Sequence, residues 1–309
     1  MKYVAGLDGG GTKTKVVIAD ESGRMIETFT SGPINYNGQD DRVVESSIEE
    51  IVVRIGAVCG SLEHCVHICL GAAGISAAGV TERLTEAIRH AGYCGGLTLV
   101  GDHETALYGA LNQPHGIILI SGTGSICYGR NEQGASHRTG GYGHLIDDEG
   151  SGYSIGKQLL AALVQASDGR IPPTAISDRI YEKLQLSKGS LKEVIGFVYD
   201  QNRTKKDVAA LAPVLSEACA IGDAAAMGIS QRSADALFEL IVPVAEYLDL
   251  QKGSLALAGS VLLDNTFIQT ALRERLAERY PELSCALPKH DAAWGAMMMA
   301  WHHKSKGTE

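Results

Sequence analysis

Apolar and polar positions alternate between two rhythms along this chain. Val4-Ala5-Gly6-Leu7 and Val16-Val17-Ile18-Ala19 are short continuous apolar runs separated by Gly9-Gly10-Gly11-Thr12. They read as two strands joined by a glycine turn, and a third strand is expected over about 24–30, beyond the Asp20-Glu21-Ser22-Gly23 turn. The rhythm then becomes helical over 41–59, where Val43, Val44, Ile48, Ile51, Val52 and Ile55 recur three and four residues apart. A strand over 66–71, a helix over about 77–91 and a strand over 97–100 follow. Asp102 stands just past that last strand, the end at which open α/β sheets bind ligands.

The second half opens in the same way. Gly116-Ile117-Ile118-Leu119-Ile120 predicts a buried strand, Ser121-Gly122-Thr123-Gly124-Ser125 a glycine turn, and Ile126-Cys127-Tyr128-Gly129 the return strand. Helices dominate from about 150 to 250, including the amphipathic stretch Ala234–Leu248. A late strand over 254–258 runs into Gly259-Ser260, and helices near 266–279 and 291–303 finish the pattern. No long Pro/Gly/Ser linker divides the halves.

Neither glycine turn has the spacing of the commoner phosphate loops. Counting from Gly6, a P-loop requires Lys where Thr12 stands; counting from Gly9, a dinucleotide fingerprint requires Gly or Ala where Thr14 stands. Both of those motifs are strand–loop–helix, whereas each turn here is followed by a strand. A β–glycine turn–β hairpin can aim consecutive backbone N–H groups and a threonine hydroxyl (Thr12, Thr123) at phosphate oxygens. Two of them, one opening each half, point to a polyphosphate gripped from both sides. A third glycine-rich strip, Gly140-Gly141-Tyr142-Gly143-His144-Leu145-Ile146-Asp147-Asp148-Glu149-Gly150-Ser151, combines backbone freedom with many hydrogen-bonding side chains, as a polar ligand approached closely by main chain requires.

Composition narrows the class. A length of 309 residues favours two domains, and 27 Lys plus Arg against 36 Asp plus Glu leaves a charge of −9 with no basic run, which argues against a nucleic-acid partner. No apolar stretch reaches the ~20 residues that span a bilayer, and the opening segment reads as a strand rather than a signal peptide, so neither a membrane partner nor export is expected. The seven cysteines are unpaired in spacing, consistent with reduced thiols in the cytoplasm. Cys59, His64, Cys65, His67 and Cys69 cluster, but their spacing matches no standard zinc pattern.

Asp8 to Thr14, Ser121 to Ser125 and Gly140 to Ser151, in that order, resemble the N-acetylglucosamine kinase branch of the actin/hexokinase/Hsp70 superfamily, whose wider group holds the BadF/BadG/BcrA/BcrD-type ATPases. The resemblance covers essentially the whole chain. It implies an α/β fold of two ribonuclease-H-like (actin-like ATPase) lobes with a central cleft: an N-terminal lobe over 1–113, with the C-terminal helix 290–309 packing back on it, and a C-terminal lobe with a helical insertion over 114–289. It implies ATP and Mg²⁺, a homodimer, and phosphorylation of the 6-hydroxyl of an amino sugar, N-acetylglucosamine ahead of glucosamine or N-acetylmuramate. Asp102 then becomes the base that accepts the hydroxyl proton, a place compatible with capping the helix that follows. Asp8 holds Mg²⁺ through water. Gly9, Gly10, Gly11, Thr12, Lys13, Gly122, Thr123, Gly124, Gly259 and Ser260 contact the nucleotide. Asn35, Asp102, Gly141, Tyr142 and Asp148 contact the sugar. Tyr142 stands where relatives often carry Trp. Asp147 departs from the usual Gly and is expected either to disfavour an acidic substrate or to face solvent; His144 is expected to hydrogen-bond structurally.

Two other classes compete. An iron–sulfur ATPase that activates a dehydratase shares the glycine hairpins but needs a cysteine at a subunit junction, and Cys127, the one near the second turn, falls in a strand. A sugar-responsive repressor needs a DNA-binding helical module, for which the strand at the start leaves no room.

Overall fold

The computed structural model describes residues 1–36, 39–75 and 77–306. Its first strands, β1 (Tyr3–Gly9), β2 (Thr14–Asp20) and β3 (Met25–Ser31), form an antiparallel meander. Then come α1 (Asp41–Cys59), β4 (Cys65–Ala72), α2 (Val80–His90), β5 (Gly96–Gly101) and α3 (Asp102–Leu111). The chain continues through β6 (Gly116–Ser121), β7 (Ser125–Arg130) and β8 (Ser136–Gly140). A helical stretch follows: α4 (Gly152–Ser167), α5 (Ala175–Leu184), α6 (Leu191–Tyr199), α7 (Lys205–Ala209), α8 (Pro213–Cys219) and α9 (Ala224–Tyr247). It ends with β9 (Gly253–Ala258), α10 (Ser260–Asp264), α11 (Thr266–Arg279), β10 (Leu283–Ala286) and α12 (Ala292–Lys306).

These elements form two compact units, residues 1–115 with 288–309, and residues 116–287. The sheets have one topology. The first runs β3-β2-β1-β4-β5 and the second β8-β7-β6-β9-β10, each a meander of three antiparallel strands extended by two parallel ones. That repeated order is the ribonuclease-H-like plan.

Local chemistry sets the element ends. Asp40 caps α1 by accepting from Arg42 N, and Gly60, left-handed at φ 78°, stops it. Its buried face (Val44, Ile48, Ile51, Val52, Ile55) packs with Leu7, Val16, Ile18, Ile68 and Leu70 on one side of the first sheet. On the other side α12 buries Ala293, Ala296, Met297 and Ala300 with Val4, Val17, Ala19 and Cys69. Residues 307–309 of the expected terminal helix lie outside the described residues. In the second unit a core that includes Ile117, Leu119 and Cys127 is continuous with α4, α8, α9 and α11.

The helix expected at 77 begins at Val80, because Gly79 sits at φ 77°, outside helical backbone. Strands β8 and β10 are additions to the sequence reading. β8 reads Ser-His-Arg-Thr-Gly and lacks an apolar alternation; it is a strand because β7 pairs with it from Ile126–Gly140 to Arg130–Ser136.

Candidate active site

In the first unit the glycine turn closes the β1–β2 hairpin. Gly10 N donates to Lys13 O at 3.1 Å, and Ala73 N, beyond β4, donates to Gly9 O at 3.3 Å. Gln39 Nε2 donates to Gly11 O at 2.9 Å, and Asn35 Nδ2 stands 4.0 Å from where a β-carbon on Gly11 would lie. Asn35 therefore lies beside Gly11 of the turn expected to hold phosphate.

Asp8 lies opposite Lys15 in the hairpin register. Burial pushes its carboxyl up to about 6; the negative charges of Asp102 and Asp291 add to the shift, and Lys15 and Lys13 oppose it. Lys15 Nζ is 2.5 Å from Asp291 Oδ2, and Asp291 Oδ1 accepts from Trp294 N in the first turn of α12. Burial works to raise Asp291, but those two bonds hold it below its ordinary value. Asp8, Asp102 and Asp291 thus share one electrostatic neighbourhood, with Lys15 set among them. Neither Lys15 nor Asp291 was singled out as a site residue from sequence, since 276 positions separate the partners.

Asp102 opens α3 at the C-terminal end of β5. It is the first helical residue and not the cap: Gly101 occupies the cap position, and Glu104 Oε1 accepts from Gly101 N at 3.1 Å. That frees Asp102 from the capping duty considered for it. Its carboxylate is about half exposed, accepts from His103 N at 3.0 Å and lies 3.4 Å from His103 Nδ1.

In the second unit the turn between β6 and β7 is bound to the Gly140–Ser151 strip. Asp148, at φ 70° and 3% exposed, accepts from Ser125 N at 3.0 Å through Oδ1, and a β-carbon on Gly124 would come within 2.7 Å of that oxygen. Ser125 Oγ donates to Glu149 O at 2.7 Å, Ser121 Oγ to Gly150 O at 2.9 Å, and Gly152 N to Gly122 O at 2.7 Å. Asp148 is thus a brace for the second glycine turn, a role its sequence position did not reveal. Gly259, at φ 88°, presses β9's end on Ser121, where a β-carbon would run into Ser121 O.

Beside this turn is a cavity of about 500 Å³. Gly122, Thr123, Gly152 and Ser260 line one part; Ala209, Ala210, Ala212, Pro213 and Val261 give apolar wall; Lys206, Glu217, Asp264 and Asn265 supply polar groups. A β-carbon on Gly122 would meet nothing within 4 Å, so main chain is presented to open space there. The volume and the mixed lining fit a nucleoside with its phosphates. Lys206 and the alanines at 209, 210 and 212 had no motif to betray them.

The strip's outer loop is pinned by Asp147. Its Oδ2 accepts from Tyr142 N at 2.9 Å, while Ile146 N and Asp147 N donate to Gly143 O at 3.2 and 2.9 Å. Asp147 is therefore partly buried and engaged with its own loop. Gly141 and Gly143 take φ 76° and 95° on either side of Tyr142, whose ring is 62% exposed with the Arg138 guanidinium 4.6 Å from its centroid. His144 packs edge-on against Tyr153.

Cys127 is fully buried in the second sheet, and burial pushes its thiol far above the ordinary range. Among the described residues no His/Cys/Asp/Glu group is arranged to hold a metal ion by itself, and no helix is long and apolar enough to cross a membrane.

Two sheets of one order, each with a glycine turn between its first strands, define an ATPase-type fold of the ribonuclease-H-like class. Residues 5–300 match the BadF/BadG/BcrA/BcrD ATPase family, and the chain belongs to that family. It is 37% identical over 303 residues to the N-acetylmuramic acid/N-acetylglucosamine kinase of Clostridium acetobutylicum, covering 97% of this chain and 98% of that one. It is 30% identical over 323 residues to the N-acetyl-D-glucosamine kinase of Dictyostelium discoideum, covering 97% and 98%. A solved structure from Chromobacterium violaceum, named provisionally as an N-acetylglucosamine kinase, shares the fold with a TM-score of 0.77 at 21% identity, over 97% of this chain and 99% of that one.

Proposed function

We propose that this protein is an ATP-dependent kinase that phosphorylates the 6-hydroxyl of an amino sugar, N-acetylglucosamine foremost. The observation that carries the reading is the bonding of the Gly122–Ser125 turn to the Gly140–Ser151 strip through Asp148, Glu149 and Gly150. One rigid piece then presents a phosphate-type turn and a sugar-type wall together. The family and the named kinase relatives support it.

Phosphoryl transfer asks for positioning and charge neutralisation more than for covalent chemistry. Gly9–Lys13 and Gly122–Gly124 hold the phosphates by main-chain N–H groups, and the cavity beside Ser260 takes the nucleoside. Asn35, Gly141, Tyr142 and Asp148 orient the sugar, and Asp102, half exposed at a strand end, accepts the proton of the attacking hydroxyl. Asp8 is the residue to hold Mg²⁺ through water, since a carboxylate raised by burial and by neighbouring acids gains most from a cation. The metal, when bound, neutralises charge on the phosphates. A homodimer and a cytoplasmic location complete the reading; sedimentation of the purified protein tests the first.

The test is ADP release with Mg²⁺ across N-acetylglucosamine, glucosamine, N-acetylmuramate and glucose. Turnover dependent on an amino sugar, with phosphate at the 6-position by NMR, is expected. ATP hydrolysis indifferent to every sugar would overturn it, and a brown, iron-containing protein would favour the dehydratase-activating class.

A further inference from the structure

Asn35 stands in a strip, Gly32–Tyr36, that is fastened along its length within the first unit. Thr14 Oγ1 donates to Gly32 O at 2.8 Å, tying the start of the strip to the first residue of β2. Ile34 is fully buried, and a β-carbon on Gly9 would come within 2.5 Å of its Cδ1, so the strip also lies against the glycine turn. Its far end is held by α1 and α2. The Tyr36 ring is 9% exposed, and the Arg83 guanidinium of α2 lies 3.8 Å from its centroid. Arg83 Nη2 is in turn 2.5 Å from Oδ2 of Asp41, in the first turn of α1.

Neither phosphoryl transfer nor the core explains this arginine. The apolar core takes Ile34, Tyr36, Val44, Val80 and Leu84 from the same elements. The side chains of Arg83 and Asp41 are 43% and 62% exposed, and an ion pair so open to water contributes little to folding. Its effect is geometric. A guanidinium is planar, so one face can lie on an aromatic ring while its edge meets a carboxylate. Asp41 fixes the edge, Tyr36 takes the face, and the place of the ring fixes the main chain next to it, which is Asn35. An ammonium supplies the charge without the plane, so lysine would keep the attraction and lose the alignment.

We infer that Arg83 is a positioning residue for sugar binding: clamped by Asp41, it holds Tyr36 and so sets Asn35 where the sugar is met. The inference rests on the kinase reading, with Asn35 as a sugar contact, and adds α2 to the parts that decide sugar affinity. Because the strip is bonded to Thr14 and packed on Gly9, the clamp also fixes the sugar contact relative to the phosphate turn.

The experiment measures kcat, KM for ATP and KM for whichever of N-acetylglucosamine, glucosamine and N-acetylmuramate has the highest kcat/KM. Arg83→Met is expected to raise the sugar KM about tenfold, with the ATP KM and the urea midpoint nearly unmoved, and Arg83→Lys to recover part of the loss. Asp41→Asn, an isosteric change at an exposed residue, should raise the sugar KM in the same direction by about two- to threefold, and it carries the test should Arg83→Met fail to fold. In Asn35→Ala/Arg83→Met the sugar KM should match that of Asn35→Ala alone, because Arg83 then has nothing to position. An unchanged sugar KM in both Arg83→Met and Asp41→Asn, an equal rise for sugar and ATP, losses that multiply in the double variant, or an Asn35→Ala enzyme with an unchanged sugar KM overturns the inference while leaving the kinase reading standing. No sugar-dependent turnover in the wild type would overturn both.

Discussion

Asp8 and Asp102 show how differently two carboxylates of one neighbourhood are treated. Asp8 is raised from 3.8 to about 6 by burial, with two acids near it, so the ionised form is the one disfavoured in the folded state. The sign follows: with the folded value above the unfolded one, the contribution of Asp8 to stability is greatest below about pH 4, declines as pH rises to about 6, and is level above. Replacing Asp8 by Asn removes that penalty. In the presence of chelator, Asp8→Asn is expected to be more stable than wild type at pH 8 by about 1–3 kcal/mol, the gap closing towards pH 4, by urea melts across pH. The same variant should lose activity with Mg²⁺. Asp102 is half exposed and, among the described residues, its carboxylate is bonded within its own turn, so Asp102→Asn should leave the urea midpoint nearly unmoved. It should lower kcat about 100- to 10,000-fold with little change in KM for ATP. A kcat within a few-fold of wild type would remove Asp102 as the base.

At the scale of elements, the packing of α12 on α3 and β1 is decided by absent side chains. A β-carbon on Gly295 would run into Thr105 O, one on Gly109 into Asp291 O, and one on Gly6 into Met297 N. Main chain touches main chain at all three places, which no repacking of side chains can relieve. Gly295→Ala should therefore cost about 1–3 kcal/mol or more, read by the urea midpoint. Gly196 in α6 offers the contrast: nothing lies within 4 Å of a β-carbon there, and its backbone is helical. Gly196→Ala is expected to raise stability by about 0.4–1 kcal/mol. The Asp20 carboxylate, which accepts from Ser22 N, Ser22 Oγ and Arg24 N, belongs to the turn expected over Asp20–Gly23; the caps at Asp40, Ser151, Asp223 and Asn265 are additions from the structure. The glycine contacts were not legible in the letters, because a small residue signals room without saying for what.

At the scale of the molecule, the first unit is built from both ends of the chain. Val4, Val17, Ala19 and Cys69 are covered by Ala293, Ala296, Met297 and Ala300. A chain ending at Leu287 would expose that sheet face, and the first unit is expected to lose cooperative unfolding, seen as a missing transition in calorimetry. The second unit, residues 116–287, keeps its whole core in such a truncation. A truncated chain with unchanged calorimetry would show that α12 is dispensable to the first unit.

The sequence by itself determined what short-range physics controls. The 3.6-residue spacing of Val44, Ile48, Ile51 and Ile55 sets a helix, apolar runs flanking glycines set the hairpins, and the order of the three glycine strips marks the family. Only the tertiary structure decided what depends on partners far along the chain. β8 is a strand because β7 pairs with it; Lys15 meets Asp291 because α12 packs on the sheet and starts near the beginning of β2. Asp148 turns inward to Ser125, and the Arg138 guanidinium lies over the Tyr142 ring. The reason is the same in each case: a hydrogen bond or an ion pair is fixed by position in space, and periodicity along a chain records only which face a residue occupies.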